Sequence, residues 1–421
     1  MTPTTGAVPL SRTARPVIPA TAVGLALAVG AFLVYWYAAN GFNAGRGDFF
    51  WLADAFLHGR TWIEPPYNIA SVNDVIVIDG RNYVPFAPFP AIALMPLVAL
   101  IGPAEADQVE PAVNAFLAAA VVFLAFWTAG RIGVARIRDR IGLALLLGFG
   151  TQVWWVTTRG GVWHTGHLIA VILTLLLIAE MFGRRRPVLL GLLVGAAFLT
   201  RAPLAFAGPA MALWVIDRWS VILGHGIPVA DRVRAIPWGR WVWLVVGFAP
   251  ALLFFLWYNG ARFGSALESG YALAALPDWL QALRAKGLFS VAHVPMNLDY
   301  LFVHLPTLTN TFPYLRPDGM GMSVFLTSPG LLLAVLAPWR DRRSWILLIA
   351  AVLVLIPTLL YYGGGWLQFG YRYFLDSIPF VWALCALAVV RKEHIPWWAW
   401  TLIFWSMLMG LIAVYWAYNL L

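Results

Sequence analysis

The sequence predicts an all-α integral membrane protein with about 11 transmembrane helices, and three observations lead to this prediction. Hydrophobic residues make up 61% of the 421 residues and charged residues only 11%, with a mean hydropathy of +0.78. Soluble domains carry about 25% charged residues, so this composition is typical of a chain embedded in lipid. The apolar residues fall in runs of transmembrane length, and clusters of arginine occupy alternate connections between these runs.

The apolar runs have the length that a membrane span requires, because a helix needs about 20 residues to cross the hydrocarbon core. The further run 86–102 is interrupted by Pro88, Pro90 and Pro96, with Pro85 directly before it, and an interior proline costs a helix about 3 kcal/mol. We therefore expect 86–102 to form a helix that lies in the outer membrane interface. The runs predicted to span are 17–38, 111–130, 141–157, 164–182, 187–200, 203–217, 241–259, 324–338, 345–362, 372–390 and 397–417.

Basic residues in the short connections set the predicted orientation, because cytoplasmic loops are enriched in arginine and lysine. When 86–102 does not span, 18 of the 28 basic residues fall on one side, which places the N-terminus in the cytoplasm and the C-terminus outside. The two runs that flank Arg201 are short, and a single broken helix there would reverse every later segment. The 18 residues are Arg12, Arg15, Arg131, Arg136, Arg138, Arg140, Arg184, Arg185, Arg186, Arg218, Arg232, Arg234, Arg240, Arg340, Arg342, Arg343, Arg391 and Lys392.

The chain is predicted to form a single polytopic membrane domain over 1–421, with long outer segments at 39–110 and 260–323. By this topology 13 of the 19 acidic residues lie on or near the outer side. No cytoplasmic loop is long enough for a nucleotide-binding domain, and no Walker A or Gly-x-Gly-x-x-Gly motif is present. We therefore expect chemistry on the outer face without a nucleotide. The basic loops are explained by topology, so no nucleic-acid partner is expected.

Asp48 directly follows the first predicted span, at the start of the amphipathic stretch 49–58. A carboxylate there could act as a general base at the membrane surface. The alternative is a capping role, because Asp is a preferred residue at a helix N-cap. Asp54 falls on a different face of the same helix, where it could bind an acceptor or a metal or simply be solvated. Farther on, 74–79 alternates like a strand and ends in an Asp79-Gly80 turn, which predicts turn roles for its two aspartates.

Two arginines are candidate ligands for a phosphate. Arg201 lies within an apolar stretch, where a charge is costly and indicates function, and its guanidinium can hold a phosphate with two hydrogen bonds. The alternatives for Arg201 are a buried pair with an acid on another helix or a side chain that reaches the interface. Arg372 stands beside Tyr371, and its alternative is interfacial anchoring. Asp376 follows Arg372 at the i,i+4 spacing and is a potential ion-pair partner.

The predicted outer turn 159–167 begins with Arg159 and contains His164 and His167. A spacing of three residues puts both histidines on one helical face, which would suit a metal ion. No third ligand is evident, so a divalent metal is not favoured and no cofactor is predicted. A hydrogen bond from His164 to substrate, or plain packing at the interface, is the preferred interpretation.

Three segments resemble polytopic glycosyltransferases of the GT-C type: Gly47-Asp48 with the amphipathic stretch 52–59, Gly80-Arg81-Asn82-Tyr83-Val84-Pro85 with its continuation to Pro88, and 369–379 with its Arg372-Tyr373 pair and Pro379. They are most similar to the branch that contains the protein O-mannosyltransferases and the aminoarabinose transferases of lipid A. The resemblance covers 17–200 and, more loosely, the last third of the chain. In those families an acidic residue just after the first helix is catalytic, and the position here is Asp48. The mannosyltransferases have an Asp-Glu pair where this chain has a single Asp.

The resemblance implies a GT-C-like fold and a transferase of the cell envelope that acts on a lipid-linked sugar. The enzyme would move the sugar from a polyprenyl-phosphate donor, with inversion, to a lipid, glycan or protein acceptor on the outer face of the cytoplasmic membrane. On this hypothesis Asp48 is the general base, and Arg201 and Arg372 bind the donor phosphate. Candidate substrate-binding residues are Asp54, His58, Tyr83, Arg159, His164 and Tyr371. The alternatives are a membrane transporter or flippase for lipid-linked sugars and a noncatalytic GT-C-like partner.

Overall fold

The computed structural model describes residues 19–41, 46–65, 74–224 and 226–419. The basic residues Arg12 and Arg15 and parts of the first outer segment lie outside the described residues. Within the described ranges the chain is mostly helical, with two short antiparallel β-hairpins.

Long apolar helices alternate along the chain with short helices that lie near the ends of the long ones. In the first half they are α1 (Ala20–Ala39), α2 (Asp48–Leu57), α3 (Phe89–Ile101), α4 (Pro103–Gln108), α5 (Glu110–Ile132), α6 (Ile137–Phe149), α7 (Val153–Arg159), α8 (Val162–Met181), α9 (Pro187–Phe198), α10 (Gly208–Trp214), α11 (Trp219–Leu223) and α12 (Val229–Ala235). They continue with α13 (Trp238–Phe263), α14 (Asp278–Arg284), α15 (Val294–Leu298), α16 (Val324–Thr327), α17 (Arg342–Leu360), α18 (Ile378–Lys392) and α19 (Trp397–Asn419).

Shorter turns complete the backbone. The 3₁₀ segments are Ala202–Ala207, Val291–His293, Pro329–Leu336 and Arg372–Asp376, and a π-helical turn covers Asp299–Val303. The hairpins pair β1 (Ile76–Ile78) with β2 (Arg81–Tyr83) and β3 (Thr307–Leu308) with β4 (Leu315–Arg316).

Six of the described helices, α1, α5, α8, α13, α17 and α19, are long and apolar enough to cross a membrane, so this is an integral membrane protein. The count rises to seven if α6 and α7, which meet at a bend of 46°, form one span. The expected count of about 11 spans is not confirmed. The predicted runs 187–200, 203–217, 324–338 and 372–390 each contain helical turns, but their helices are shorter than the ~20 residues of a full span.

The two short segments that flank Arg201 form a helical hairpin. Arg185, just before α9, donates a hydrogen bond from Nη2 to the carbonyl oxygen of Trp214 at the end of α10, at 2.7 Å. Arg185 also pairs with Asp217 at 3.0 Å. The chain therefore returns to the end from which it started, with Arg201 at the tip of the hairpin.

The arginine-rich ends of the helices gather at one end of the bundle, which we call the basic end. The guanidinium of Arg343 lies over the ring of Phe182 at 5.9 Å, which joins the start of α17 to the end of α8. Arg138 lies over Trp400 at 5.0 Å, which joins α6 to α19. The predicted alternation of arginine clusters thus corresponds to a real clustering in three dimensions.

Helix α8 is the centre of the bundle, because 83% of its most apolar residues are buried, compared with 22% for α13. Close backbone contacts hold other helices together. A Cβ atom on Gly191 of α9 would lie 2.1 Å from the carbonyl oxygen of Leu244, and one on Gly247 of α13 would lie 2.1 Å from that of Val188. Only glycine permits this approach. Residues at the start of α8 are consequently surrounded by protein at the end opposite the basic end.

The first outer segment folds onto the bundle through α2, α3 and the β1–β2 hairpin. Asp79 and Gly80 form the two-residue turn of the hairpin with φ angles of 50° and 72°. Two positive φ angles are the signature of a type I′ turn, and the predicted Asp79-Gly80 turn is confirmed. The expected helix at 86–102 is α3, with Pro96 inside it. The backbone N–H of Phe89 donates to the carbonyl oxygen of Leu199, which connects α3 to the tip of the hairpin beside Arg201.

Candidate functional site

The start of α8 depends on two consecutive glycines. Gly160 has φ 59° and ψ −164°, and Gly161 has φ 81° and ψ 165°. This region of backbone conformation is essentially restricted to glycine. The buried carboxylate of Glu110 accepts hydrogen bonds from the N–H of Gly161 at 2.9 Å and from Thr165 Oγ1 at 3.1 Å. Glu110, which the sequence analysis did not select, therefore fixes the turn from which α8 begins.

The same turn orients His164. Its Nδ1 lies 2.6 Å from the carbonyl oxygen of Gly160. A carbonyl oxygen only accepts, so Nδ1 carries a proton and donates it. Arg372 Nη1 lies 3.4 Å from His164 Nε2. Because a guanidinium only donates, Nε2 presents its lone pair to Arg372 and the imidazole is neutral.

Arg372 is a buried cation without a carboxylate partner among the described residues. It is only 7% exposed, and its Nε makes no hydrogen bond. Nη1 donates to the carbonyl oxygen of Trp366 at 3.4 Å, and the backbone N–H of Arg372 is held by Gln368 Oε1 at 3.1 Å. A buried charge is costly unless it is paired. This guanidinium is therefore suited to receive an anion.

Arg201 is paired where Arg372 is not. Its Nε donates to both carboxylate oxygens of Asp376 at 2.6 and 2.7 Å, and His167 Nδ1 lies 3.3 Å from Asp376 Oδ1. The alternative of a buried pair with an acid on another helix is thus the observed arrangement. The i,i+4 pair of Asp376 with Arg372 does not form, because the carboxylate turns toward the hairpin tip. The Arg201 side chain remains 18% exposed.

Asp48 is the first residue of α2 and is fully buried. Arg46 donates to it from Nη2 at 2.7 Å and from Nε at 3.3 Å. The guanidinium of Arg46 also lies over Trp163 at 4.6 Å, and its carbonyl oxygen accepts from the N–H of Val162. The N-cap position belongs to Gly47, and no side chain caps the helix there. Asp48 is therefore in a salt bridge beside α8, and the capping alternative is wrong.

A second carboxylate, Asp107, lies against this pair. A Cβ atom on Gly47 would be 2.0 Å from Asp107 Oδ1, so the carboxyl group occupies the space that any side chain at position 47 would need. Burial raises the pKa of Asp107, and the negative charge of nearby Asp48 adds to the effect. The sequence analysis missed Asp107, since its proximity to Asp48 arises only when α4 folds back onto α2.

Three of the predicted substrate-binding residues lie away from the start of α8. Asp54 forms an ion pair with Arg60 Nη2 at 3.0 Å and lies 3.3 Å from His58 Nδ1, on a partly exposed face of α2. Tyr83 is buried in the β1–β2 hairpin, with its ring 5.7 Å from that of Phe263. The structure does not bring these residues together with Arg201 or Arg372.

The remaining predicted residues lie close to the start of α8 or behind it. Arg159 ends α7, one residue before the glycine turn, and its guanidinium lies over Trp155 at 5.9 Å. Tyr371 is buried, and its hydroxyl donates to the carbonyl oxygen of Thr358 at 3.2 Å. This bond anchors the segment that carries Arg372, so Tyr371 has a structural partner within the protein.

A group of tyrosines that the sequence did not single out stands beside Arg201. The ring of Tyr361 lies 6.2 Å from those of both Tyr271 and Tyr373 and 4.6 Å from that of Tyr362. The guanidinium of Arg201 is 5.5 Å from the ring of Tyr373. Aromatic residues near position 372 were visible in the sequence, but Tyr271 reaches them only through the fold of the second outer segment.

The two histidines of α8 do not share a ligand. His164 contacts Arg372, whereas His167 contacts Asp376. Within the described ranges no group of three or more His, Cys, Asp or Glu side chains is arranged to hold a metal ion.

Comparison with known proteins gives one weak structural similarity. No family model and no curated protein matches the sequence. The fold is similar to the crystal structure of the Archaeoglobus fulgidus oligosaccharyltransferase in the apo form, with a TM-score of 0.44 and 14% sequence identity. The match covers 94% of this chain and 55% of that chain, so the present chain spans about half the length of the other. A similarity at this level does not assign an activity.

Proposed function

We propose that the protein is a glycosyltransferase that moves a sugar from a polyprenyl-phosphate donor to an acceptor on the outer face of the cytoplasmic membrane. The observation that carries the proposal is Arg372, a buried guanidinium with no acidic partner among the described residues. It lies at the end of the bundle opposite the basic end. A planar guanidinium recognises a phosphate with two parallel hydrogen bonds, and a lipid-linked phosphate would supply the missing negative charge.

We call Arg372, His164 and Arg201 the candidate phosphate site. These residues supply the groups that a phosphate leaving group requires. Departure of the phosphate from the anomeric carbon adds negative charge to its oxygen, and a preorganised cation stabilises that charge. Arg372 is held from one side by the lone pair of His164 Nε2. Arg201 supplies a second guanidinium, whose partly exposed edge is not used by Asp376. In this scheme two arginines stabilise the leaving group, and no divalent metal is required.

The general base in the proposal is Asp48. As the acceptor hydroxyl or amine attacks the anomeric carbon, the bond from that carbon to the phosphate oxygen breaks and the acceptor proton passes to the Asp48 carboxylate. A single displacement from the face opposite the phosphate inverts the anomeric carbon. Asp48 is covered by Arg46 in the present conformation, so acceptor binding must move Arg46 aside. Catalytic hydrogen bonds often form only in the substrate complex. The acceptor class is a lipid, a glycan or a protein.

The test is donor consumption in liposomes that contain the full-length protein and a panel of polyprenyl-phosphate sugars. We expect the wild type to consume at least one donor and Asp48→Asn to lose ~100-fold or more of the rate, the size typical of a general base. Asp217→Asn is the matched control, because Asp217 is also paired with arginines but lies at the basic end.

Two outcomes would contradict the proposal. Full activity of Asp48→Asn with normal folding would remove Asp48 as the base while keeping the reaction. Absence of consumption with every donor and acceptor, together with movement of the intact donor across the bilayer, would identify a transporter or flippase instead of an enzyme.

A further inference from the structure

Four tyrosines form a continuous surface beside the candidate phosphate site. We call this surface the tyrosine wall and define it as Tyr271, Tyr361, Tyr362 and Tyr373. The rings of neighbouring members are 4.6 to 6.2 Å apart. Tyr373 connects the wall to the phosphate site, because the guanidinium of Arg372 lies 5.3 Å from its ring and that of Arg201 lies 5.5 Å from it. A group attached to a phosphate at Arg372 would therefore meet this wall.

The wall is assembled from distant parts of the chain. Tyr271 belongs to the second outer segment, Tyr361 and Tyr362 follow the end of α17, and Tyr373 precedes α18. Phe86 of the first outer segment packs edge-on against Tyr271 at 6.5 Å. Both outer segments and the bundle thus meet at one point, where a substrate could contact all of them.

Two hydroxyl groups of the wall have no hydrogen-bond partner within the described ranges. These belong to Tyr271 and Tyr373, whose side chains are half-buried, whereas the hydroxyl of the neighbouring Tyr371 donates to Thr358. A half-buried tyrosine hydroxyl can form hydrogen bonds with solvent or with a ligand. Burial raises the pKa of Tyr271, so its phenol stays neutral and is able both to donate and to accept. Such groups are suited to the hydroxyl groups of a sugar.

Apart from Arg372 and the outer edge of Arg201, which the donor phosphate would occupy in the proposed function, the charges near the wall already have partners within the protein. Arg201 is bonded to Asp376. Asp74 and Arg284 act on Tyr362 with opposite signs. Asp74 accepts a hydrogen bond from Trp163 Nε1 at 2.9 Å, and Arg284 donates to the carbonyl oxygen of Ala274 at 2.8 Å. A sugar with an ammonium or carboxylate group would bring an additional unpaired charge into this surface, which is unfavourable.

From these observations we infer that the tyrosine wall binds the sugar of the donor and that this sugar is uncharged, a neutral pentose or hexose. The inference rests on the proposed function and names its substrate class. Aromatic faces supply apolar contact to the carbon skeleton of the ring, and the free phenols of Tyr271 and Tyr373 bond its hydroxyl groups. The phosphate carries the only charge of the donor headgroup, and Arg372 receives it.

The experiment uses the full-length protein in liposomes with four polyprenyl-phosphate donors: a neutral pentose, a neutral hexose, an amino sugar and a uronic acid. We expect consumption of a neutral donor at least ~10-fold faster than of the charged donors, because specificity that depends on buried polar groups is large. Tyr271→Phe removes one hydroxyl and should lower kcat/KM for the neutral donor by about tenfold, as expected for one lost hydrogen bond. Tyr314→Phe, on the exposed β3–β4 hairpin, is the matched control and should leave kcat/KM unchanged.

The outcomes separate this inference from the proposed function. Preferred use of the amino sugar or the uronic acid would keep the glycosyltransferase and overturn the neutral sugar. Equal kcat/KM for Tyr271→Phe and the wild type would overturn the role of the wall, since the conservative change leaves the ring in place. Failure to use any donor would overturn the proposed function and the inference together.

Discussion

The two ends of the helical bundle use arginine in opposite ways. At the basic end, Arg185 and Arg240 bind the carbonyl oxygens of Trp214 and Val215 and share Asp217, whose side chain is 45% exposed. At the other end, Arg372 is only 7% exposed and has no carboxylate partner within the described ranges. Arginine is thus partly solvated and paired at the basic end, whereas at the other end it is a buried cation.

The difference shows which feature of a charge indicates function in this chain. The arginines of the basic end are numerous, lie next to helix ends and have carbonyl or carboxylate partners, as is typical of the basic loops that favour one orientation in a membrane. Arg201 and Arg372 are isolated in apolar sequence. Arg372 contacts His164 of α8, which is 208 positions away in the chain. Arg201 bonds to Asp376, which is 175 positions away and lies beside His167 of α8. The desolvation of a charge, and not the number of charges, therefore distinguishes the candidate site.

Removal of one partner from a buried ion pair should have the largest effect on stability. Asp376→Asn leaves the guanidinium of Arg201 buried without its counterion, and we expect a loss of about 3–5 kcal/mol in the free energy of unfolding. Asp217→Asn breaks exposed pairs at the basic end and should cost about 0–1 kcal/mol. Thermal unfolding of both variants in detergent checks the prediction. Equal losses would mean that the two ends do not differ in solvent access.

Arg372→Gln separates stability from activity. The variant removes a buried cation that lacks an ion-pair partner, so we expect the melting temperature to stay the same or rise. Donor consumption should fall by ~100-fold, because a group that stabilises a leaving phosphate is lost. Arg391→Gln is the control at the basic end, where the guanidinium donates to the carbonyl oxygens of Leu336 and Ala337, and it should retain activity. A strongly destabilised Arg372→Gln with normal kcat would assign Arg372 a structural role.

The glycine turn before α8 allows a comparison of backbone strain at two glycines, with a smaller expected effect on stability than the loss of an ion-pair partner. Gly160→Ala places a Cβ atom in a conformation reserved for glycine and 3.2 Å from Asn114 Nδ2. We expect a cost of about 1–3 kcal/mol and a higher KM for the donor, since His164 is bonded to this residue. Gly239 lies in the first turn of α13 with open space around it, and Gly239→Ala should be neutral or stabilising by up to ~1 kcal/mol. Similar melting temperatures for the two variants would show that the turn is not constrained.

The sequence predicted the helical membrane class and the clustering of arginines, because hydropathy and loop charge depend on local composition. It also predicted the Asp79-Gly80 turn, for which two adjacent residues are sufficient. The span count is not confirmed, because the helices around Arg201 and in the runs 324–338 and 372–390 are shorter than a full span. Hydropathy does not distinguish a full span from half of a hairpin, and α9 has only 12 residues. Pro203 predicts a break in the helix, but it does not determine whether the chain then continues across the membrane or turns back.

The candidate site was predictable only in part. Arg201, Arg372 and His164 were selected as isolated polar residues in apolar sequence, and the structure brings them to the start of α8. Their partners are set by tertiary contacts, as with Asp376, which lies i,i+4 from Arg372 but bonds to Arg201 across 175 positions. Asp107 and Tyr271 gave no local signal, because each reaches the site through the fold of an outer segment.

The smallest predicted effect concerns two carboxylates, one at each end, whose pKa values move in opposite directions. Burial, with the nearby charge of Asp48, raises the pKa of Asp107. Burial also acts on Asp217, but the hydrogen bond from Arg240 and the charge of Arg185 outweigh it and lower the pKa. A raised carboxyl pKa means that the folded protein binds the proton more tightly, so Asp107 costs stability as the pH rises through that pKa. Asp217 stabilises the fold at neutral pH, and that contribution is lost as the pH falls through its lowered pKa.

The two variants should therefore differ from the wild type with opposite signs. We expect the melting temperature of Asp107→Asn to gain on the wild type at neutral pH and to lose this advantage at acid pH. Asp217→Asn should fall below the wild type at neutral pH and converge with it at acid pH. Each difference should be smaller than the ~1.4 kcal/mol that one pKa unit represents, so melting temperatures must be compared across a pH series. A difference of the same sign for both variants would mean that burial does not dominate at Asp107. The contrast between the basic end and the opposite, buried end would then not extend to α4.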